Sequence, residues 1–366
     1  MPTTPLRPDH VAFALGLNAV LSDDTTDTGA MWSPYSVACA LGLVASGAAG
    51  ATREELTGLL GPDIDAVLAG LDEAVEGGPE LASRTALWLR GDIPVHEDFE
   101  ARVRARPDSD VRVADFRGDP EGVRARINDD VATTTRGMIT DLLTSGSINP
   151  GTISVLVNAL WVKMRWLTPF TTDSTVDHPF RAPSGTRETA TMSRTGQLPY
   201  AVSGGWRMVT LAGHDELFMD VLLPPEDDPG AVLDEKTLGA LYQGTDVVDV
   251  RLMLPRFDIT HHQELTEPLV AAGVHTVFGD GADLSGLSPV PLKVDQVIHQ
   301  AKLRVDEKGA EGAAATAVVM MRASITPPPP PVPFVVDRPF RIILRRRGAI
   351  LFLGEVTEPE DPGPAE

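Results

Sequence analysis

The stretch that decides the fold is VDEKGAEGAAATAVVMMRASITPPPPPVPFVVDRPF, residues 305–340. It passes from an acidic residue, Glu307, through Gly309 into a run of small residues, and continues as a β-forming stretch over 316–319. Prolines at 327–331 follow and favour an extended polyproline conformation. Small residues fit where a strand must slide between two others, and Thr and Val favour a pleated strand. The pattern indicates a segment that is a loop in one state and a central strand in another.

Alternation supports the strand interpretation. In a strand, Ala310, Gly312 and Ala314 share one face, while Glu311 points to the opposite, wettable face. An Ala-rich helix and a flexible linker are the alternatives, since Ala, Glu and Met favour helix. Glycines and β-branched residues weaken the helix, and a linker needs no alternation. Composition alone does not separate these interpretations, so the rest of the chain has to decide.

Composition limits the partners. The net charge of −21 over 366 residues argues against nucleic acid and against anionic membranes as partners. Cys39 is the only cysteine, so an intrachain disulfide is excluded, and its apolar surroundings at 37–45 predict a buried, inert thiol. The basic run 345–347 is expected to be the solvated turn of a hairpin and not a binding patch.

The sequence does not fix the compartment. The N-terminus has no basic start followed by an apolar stretch and a cleavage site, and no run is apolar enough to span a bilayer. The absence of a signal peptide predicts a cytoplasmic protein, unless the chain is a mature form whose signal was removed, in which case it is secreted.

The pattern along the chain predicts an α+β fold with helices early and mostly strands later. Ser33-Pro34 is a favourable helix start, and 120–143 has helical spacing with Gly137 as an interruption. Residues 155–162 are continuously apolar, which is typical of a strand covered on both faces. The polar, proline-containing end, 359–366, is expected to be a flexible tail.

Nothing in the chain favours an enzyme. It has no G-x-S-x-G elbow, H-E-x-x-H motif, P-loop or glycine-rich dinucleotide turn. His261 and His262 are adjacent, so on a strand they face opposite sides and make a poor metal pair. His299 lies in an apolar strand, where a hydrogen-bonded core histidine is expected. We therefore predict no catalytic residue, no metal and no cofactor.

The chain resembles the serpin family over almost its whole length. Each matching block is weak by itself, but their order and spacing are highly specific. The blocks, besides the stretch quoted above, are Ser33-Pro34-Tyr35-Ser36, 157–163 (VNALWVK), Trp166 with Pro169-Phe170, Leu254-Pro255-Arg256-Phe257, 274–278, 282–286 (ADLSG), 297–301 (VIHQA), Asp337-Arg338-Pro339-Phe340 and Leu351-Phe352-Leu353-Gly354.

The resemblance implies one domain over 1–366, with a large central β-sheet, two smaller sheets, eight or nine helices and an exposed reactive-centre loop over 307–333. The hinge of that loop consists of Glu307, Gly309, Ala310, Gly312, Ala313, Ala314 and Ala315.

The resemblance also implies the activity, suicide inhibition of a serine protease. The protease acylates itself on the loop, the freed segment inserts into the central sheet, and deacylation stalls. The family's usual hinge length places the cut between Ala323 and Ser324, and the small Ala323 suits elastase-like or subtilisin-like proteases. The alternative is a cut between Arg322 and Ala323 by a trypsin-like protease.

Two further groups of residues follow from the resemblance. The shutter network, a buried polar group beneath the place where the sheet parts, comprises Ser33, Ser36, Asn158 and His299. The breach, where the hinge enters, comprises Trp166, Arg256 and Glu307, with an ion pair expected between the last two. The expected partner is the target protease, bound covalently. The protein itself is expected to be a monomer that forms loop–sheet polymers when destabilised.

A non-inhibitory member that carries ligands is the remaining alternative. Such members usually replace the small hinge residues with bulky, charged or proline residues, whereas 310–315 is intact here. The one departure is Gly312, where alanine is commoner. Inhibition is therefore favoured.

Overall fold

A computed structural model describes residues 5–21, 29–78, 81–162, 164–309 and 329–364. These residues contain eight α-helices and two short 3₁₀ helices, Thr172–Ser174 and Thr276–Phe278. The α-helices are α1 (Pro8–Leu21), α2 (Pro34–Gly47), α3 (Gly50–Leu60), α4 (Ile64–Val75), α5 (Glu97–Arg104), α6 (Pro120–Thr134), α7 (Glu235–Gln243) and α8 (Thr266–Ala271).

The strands in the same part of the chain are β1 (Gly29–Trp32), β2 (Leu81–Arg90), β3 (Ser109–Ala114), β4 (Ser154–Val162), β5 (Val176–Ala182), β6 (Gly185–Ser203), β7 (Trp206–Ala212), β8 (Leu217–Leu223), β9 (Asp246–Pro255), β10 (Phe257–Glu264), β11 (Gln296–Val305), β12 (Val332–Val335), β13 (Phe340–Arg346) and β14 (Ala349–Val356).

The described strands form two hydrogen-bonded sheets. A nine-stranded sheet has the order β1-β14-β13-β8-β7-β6-β9-β12, with β5 attached to β6, and a five-stranded sheet has the order β10-β11-β4-β2-β3. The α+β class is confirmed. Three sheets were expected. Two are found because the long strand β6 pairs with β9 over 191–200 and with β7 over 200–203, which joins the two smaller sheets into one.

Strand β4 is buried at every position, as its continuous apolar sequence predicts. Both faces are covered, since α2 packs on one and α6 on the other. Helix α2 begins as expected, because the Ser33 hydroxyl accepts a hydrogen bond from the Ser36 amide at 3.0 Å and Pro34 occupies the first turn. Cys39 on this helix is buried, and burial raises the pKa of its thiol to about 11.

Helix α6 is shorter than the sequence predicts. It ends at Thr134 and does not continue to 143. Gly137 has a φ of +80°, and its amide donates to the carbonyl of Ala132 at 2.8 Å. A left-handed glycine just beyond the last turn ends a helix. The interruption expected at Gly137 is therefore the end of the helix, and 135–153 is an irregular segment.

The basic run 345–347 differs from the solvated turn expected. Arg345 and Arg346 are buried, with 6% and 2% of their surface exposed. Arg345 contacts both carboxylate oxygens of Asp220, at 2.6 and 3.2 Å, and Asp220 is fully buried. Arg346 donates to backbone carbonyls at the end of α4. The prediction was wrong because sequence spacing could not show that these two side chains point into the protein.

We expect Arg345→Leu to destabilise the fold by about 3–5 kcal/mol, because it leaves the buried Asp220 carboxylate without its counter-charge. The urea midpoint measures the effect. Asp220 would keep its hydrogen bonds from Thr210 and Tyr242, at 2.6 and 2.7 Å, which hold the carboxylate in place. Arg347→Leu is the matched control, since its partner Glu216 is exposed. Equal shifts in both variants would contradict the prediction.

Candidate functional site

The central feature of the five-stranded sheet is the junction between β4 and β11, which we call the seam. These strands run parallel and pair over four residues only, from Gln296 opposite Val155 to His299 opposite Asn158. By contrast, β10 and β11 pair over eight residues, and β2 and β4 over nine. Beyond His299, the facing residues 300–305 and 159–162 are not paired with each other. The seam is therefore closed at one end and open at the other.

The hinge lies at the open end of the seam. The chain turns back at Asp306–Gly309, where Gly309 forms antiparallel bridges with Asp306, which extends β11, and with Arg165, which follows β4. Gly309 has a φ of +117°, and an added Cβ would collide with the carbonyl oxygen of Met164. Glycine is required here because the chain must pass between the ends of two strands. The hinge thus begins as an antiparallel strand between them.

Backbone hydrogen bonds fix this turn. The Trp166 amide donates to the Lys308 carbonyl at 3.2 Å, and the Phe170 amide to the Glu307 carbonyl at 2.9 Å. The Trp166 indole nitrogen donates to the Asp306 carbonyl at 2.9 Å. Burial raises the pKa of the Asp306 carboxyl. All three of these hydrogen bonds end on backbone carbonyls of 306–308, so the breach holds the hinge mainly through the backbone of the hinge.

The ion pair expected at the breach is present in the structure. Nη1 of Arg256 lies 3.6 Å from Oε1 of Glu307, and Glu307 is fully buried. The same oxygen accepts a hydrogen bond from the Thr175 hydroxyl at 2.6 Å. Thr175 was not identified from the sequence, because it lies in a polar stretch with no distinguishing pattern.

Arg256 also contacts the C-terminal tail. Its Nε and Nη2 lie 3.0 and 3.1 Å from the two carboxylate oxygens of Asp361. The Asp258 amide at the start of β10 donates to the Glu360 carbonyl at 2.9 Å. The described part of 359–366, which ends at Pro364, is therefore docked on the sheet, in contrast to the flexible tail that its composition predicts.

We expect Glu307→Lys to lower the unfolding temperature and to promote polymerisation, because it places a cation beside Arg256 at a buried position. The cost should be about 3–5 kcal/mol. Thermal unfolding and size-exclusion chromatography measure the two effects. Glu307→Gln is the control, since it removes the charge but retains an acceptor for Thr175. If Glu307→Lys has the melting temperature and polymer fraction of the wild type, the Arg256–Glu307 pair does not stabilise the breach.

The shutter residues lie at the closed end of the seam, and all four are buried. The Ser33 amide donates to Nε2 of His299 at 3.0 Å, and the Ser33 hydroxyl accepts from the Ser36 amide. Asn158 does not join them through its side chain. Its amide donates instead to the Thr85 hydroxyl on β2 at 2.7 Å. The network thus has two parts, connected by the backbone pair His299–Asn158.

Several buried atoms of this network have no hydrogen-bond partner among the described residues. They are the Ser36 hydroxyl oxygen, Oδ1 of Asn158 and Nδ1 of His299. A partly satisfied buried network is costly, so it can rearrange when the strands above it part. Thr85 is the member that sequence reasoning missed. No signal in the sequence singled it out, because β2 also carries Ser83, Arg84 and Arg90.

Burial lowers the pKa of His299 to about 3, and the nearby His261 and His262 add to this effect. The unfolded chain, with an ordinary histidine pKa of 6.5, takes up a proton that the folded protein excludes. Stability is therefore full above pH 6.5 and falls as the pH drops towards 3. At pH 5 the loss should be about 2 kcal/mol.

Urea midpoints at pH 7 and pH 5 test this for the wild type and for His299→Gln. We expect the wild type to lose more stability on acidification, because glutamine does not titrate. Buried His10, whose pKa is lowered to about 4, is unchanged in both proteins and cancels in the comparison. Equal losses in the two proteins would exclude His299 as the source.

Part of the predicted site lies outside the described residues. It comprises the hinge residues Ala310, Gly312, Ala313, Ala314 and Ala315 and the candidate cleavage residues Arg322, Ala323 and Ser324. Within the described ranges, no three His, Cys, Asp or Glu side chains are arranged to hold a metal ion. None of the helices in that part of the chain is long and apolar enough to cross a membrane.

Comparisons with known proteins agree with the geometry. A family model described as Serpin (serine protease inhibitor) matches residues 9–359. The leukocyte elastase inhibitor of Bos taurus is 31% identical, with 96% of this chain and 98% of that protein covered. Serpin-Z1C of Triticum aestivum is 30% identical, over 95% of this chain and 94% of that protein. A serpin-like protein of Methanosarcina mazei is 29% identical, over 95% and 86%.

Solved structures show the same fold. Human thyroxine-binding globulin has a TM-score of 0.85 at 24% identity, over 96% of this chain and 98% of that one. Uncleaved ovalbumin has a TM-score of 0.85 at 21% identity, over 97% and 100%. At sequence identities of 24% and 21%, the similarity to these two structures shows the fold alone.

Proposed function

Because the chain belongs to the serpin family, we propose that it inhibits serine proteases by inserting its own cleaved loop into the seam. The protease serine attacks the carbonyl of the scissile bond, and the new amino terminus leaves with a proton from the protease histidine. The segment on the acyl side is then free to insert. Inhibition results if the loop inserts faster than the acyl ester is hydrolysed.

The position of Gly309 carries this proposal. It already pairs, antiparallel, with the extensions of both strands that border the seam. Continuation of the chain in the same direction would place 310 and the following residues between β4 and β11. Each of these parallel neighbours would then gain an antiparallel partner, and antiparallel pairing is slightly more stable per residue. A strand over 307–323 would be about 55 Å long at about 3.3 Å per residue.

The target class follows from the cut site. We propose cleavage between Ala323 and Ser324 by an elastase-like or subtilisin-like protease, because the methyl group of Ala323 fits a shallow primary pocket. A cut after Arg322 would instead require a trypsin-like protease with an acidic pocket. The elastase inhibitor among the relatives supports the first class.

Incubation with pancreatic elastase, subtilisin and trypsin tests the proposal. We expect an SDS-resistant adduct with one of the first two enzymes and a released C-terminal fragment that begins at Ser324. A fragment that begins at Ala323, formed only with trypsin, would favour the alternative target. Cleavage by all three without any adduct would contradict inhibition and would favour a non-inhibitory binding protein.

A further inference from the structure

The irregular segment 135–153, which links α6 to β4, lies over one face of the five-stranded sheet; we call it the strap. Four of its apolar residues are at most 3% exposed and share one cluster with residues on both sides of the seam. That cluster includes, from the strap, Ile139, Leu142, Leu143 and Ile148, and from the sheet, Val155 and Val157 of β4 and Ile298 of β11.

The middle of the strap is fixed to α6. The side chain of Asn128 binds both backbone groups of Leu143, donating to its carbonyl at 3.0 Å and accepting from its amide at 2.8 Å. Arg124 donates to the same carbonyl at 3.0 Å. Helix α6 is itself tied to the sheet, since Asp130 pairs with Arg84 of β2 at 2.9 Å and with Arg112 of β3 at 3.0 Å. Leu143 therefore belongs to the β4-β2-β3 side of the seam.

The neighbouring residue is fixed to the other side. Nε2 of His262 on β10 donates to the carbonyl of Leu142 at 2.9 Å. His262 is opposite Gln300 in the β10–β11 ladder, one residue beyond the last pair of the seam, His299 and Asn158. Leu142 is therefore held to the β10-β11 side, at the height where the seam opens.

An inserted strand would separate the two sides by about one strand spacing, about 4.8 Å. Leu142 and Leu143 are consecutive, with their Cα atoms only about 3.8 Å apart. Their carbonyls cannot stay bound to two anchors that move apart by more than the length of one residue. One anchor must release before the strand can pass beneath the strap.

We propose that the hydrogen bond from His262 to Leu142 is a latch across the seam, and that its release limits how fast the loop inserts. This inference rests on the insertion mechanism proposed above. His262 is the anchor that yields, because it makes a single bond from an exposed ring. Leu143, in contrast, is held by three bonds, one donated by Arg124, one donated by the buried Asn128 and one donated to it.

Peptide annealing tests the latch without any protease. A fluorescently labelled synthetic peptide with the sequence of residues 309–321 is mixed with the intact protein, and the rate of its uptake is followed by polarisation. We expect His262→Leu, which removes the donor, to take up the peptide about 2- to 10-fold faster than the wild type. His262→Gln, which retains a donor, should remain close to the wild-type rate.

The control is His178→Leu, because the ring of His178 contacts the carbonyl of its neighbour Pro179, and its strand β5 lies in the nine-stranded sheet, away from the strap. The latch would be overturned if His262→Leu took up the peptide at the wild-type rate, or if His262→Gln took it up as fast as His262→Leu. Either result would leave the insertion mechanism intact. Uptake by none of the proteins would overturn insertion, and the latch with it.

Discussion

Cleavage of the loop should raise the unfolding temperature of this protein by about 20 °C or more. An inserted strand has a neighbour on each side, and each ladder bond contributes about 0.5–1.5 kcal/mol net. Over the length of the seam the gross gain is a few tens of kcal/mol, part of which is offset by ordering the segment. A remaining gain of about 15 kcal/mol corresponds to about 20 °C for a chain of this size, at about 2.1 cal/mol/K per residue.

Differential scanning calorimetry of intact and cleaved protein measures this shift. A non-target protease that cuts within 320–328 is sufficient, because insertion needs a long segment with a free end and no acyl adduct. Protein cleaved at another exposed loop is the control and should melt no higher than the intact form. If the loop-cleaved protein melts at the temperature of the intact protein, the native state is not metastable and the inhibitory mechanism fails.

If the protein inhibits by insertion as proposed, Ala314→Arg should make it a substrate of the protease instead of an inhibitor. In an inserted strand this side chain lies on the face shared by Ala310 and Gly312, where it would have to enter the sheet. Burying a guanidinium without a counter-charge costs several kcal/mol. Insertion should then fall behind hydrolysis of the acyl ester. We expect the stoichiometry of inhibition to rise more than about tenfold, since about 1.4 kcal/mol is already a factor of ten in rate.

Glu311→Arg provides the matched control. It introduces the same side chain three residues away, on the face that alternation assigns to solvent. That variant should keep the stoichiometry of the wild type. If both variants inhibit equally well, the segment does not insert as a strand. If both fail equally, the assignment of faces is wrong.

The structure also suggests why the native state persists. The seam is closed by four backbone pairs, with the buried shutter residues beneath them. The hinge is clamped at the open end by Trp166 and Phe170, and the strap crosses the face above. These contacts are separate, so each must loosen before a strand can pass. If cleavage raises the unfolding temperature as expected, the native state is held by its barrier to conversion and not by its free energy of unfolding.

The sequence by itself determined the fold class, the burial of β4 and the serine cap of α2, and its resemblance to the serpin family implied the pairing partners at the breach. Local patterns encode these features: a continuous apolar run, a Ser-Pro helix start, and blocks whose order is specific. The sequence did not predict the burial of Arg345 and Arg346, because a run of three arginines carries no information about which side chains point inward.

Only the tertiary structure decided which residues contact one another across the seam. Four pairs between β4 and β11, the bridge between Gly309 and Arg165, and one bond from His262 to Leu142 each join residues far apart in the chain. No periodicity links such residues, since their proximity follows from how the sheet and α6 are stacked. The same reason explains why Thr85, Thr175 and Asp361 were not identified from the sequence.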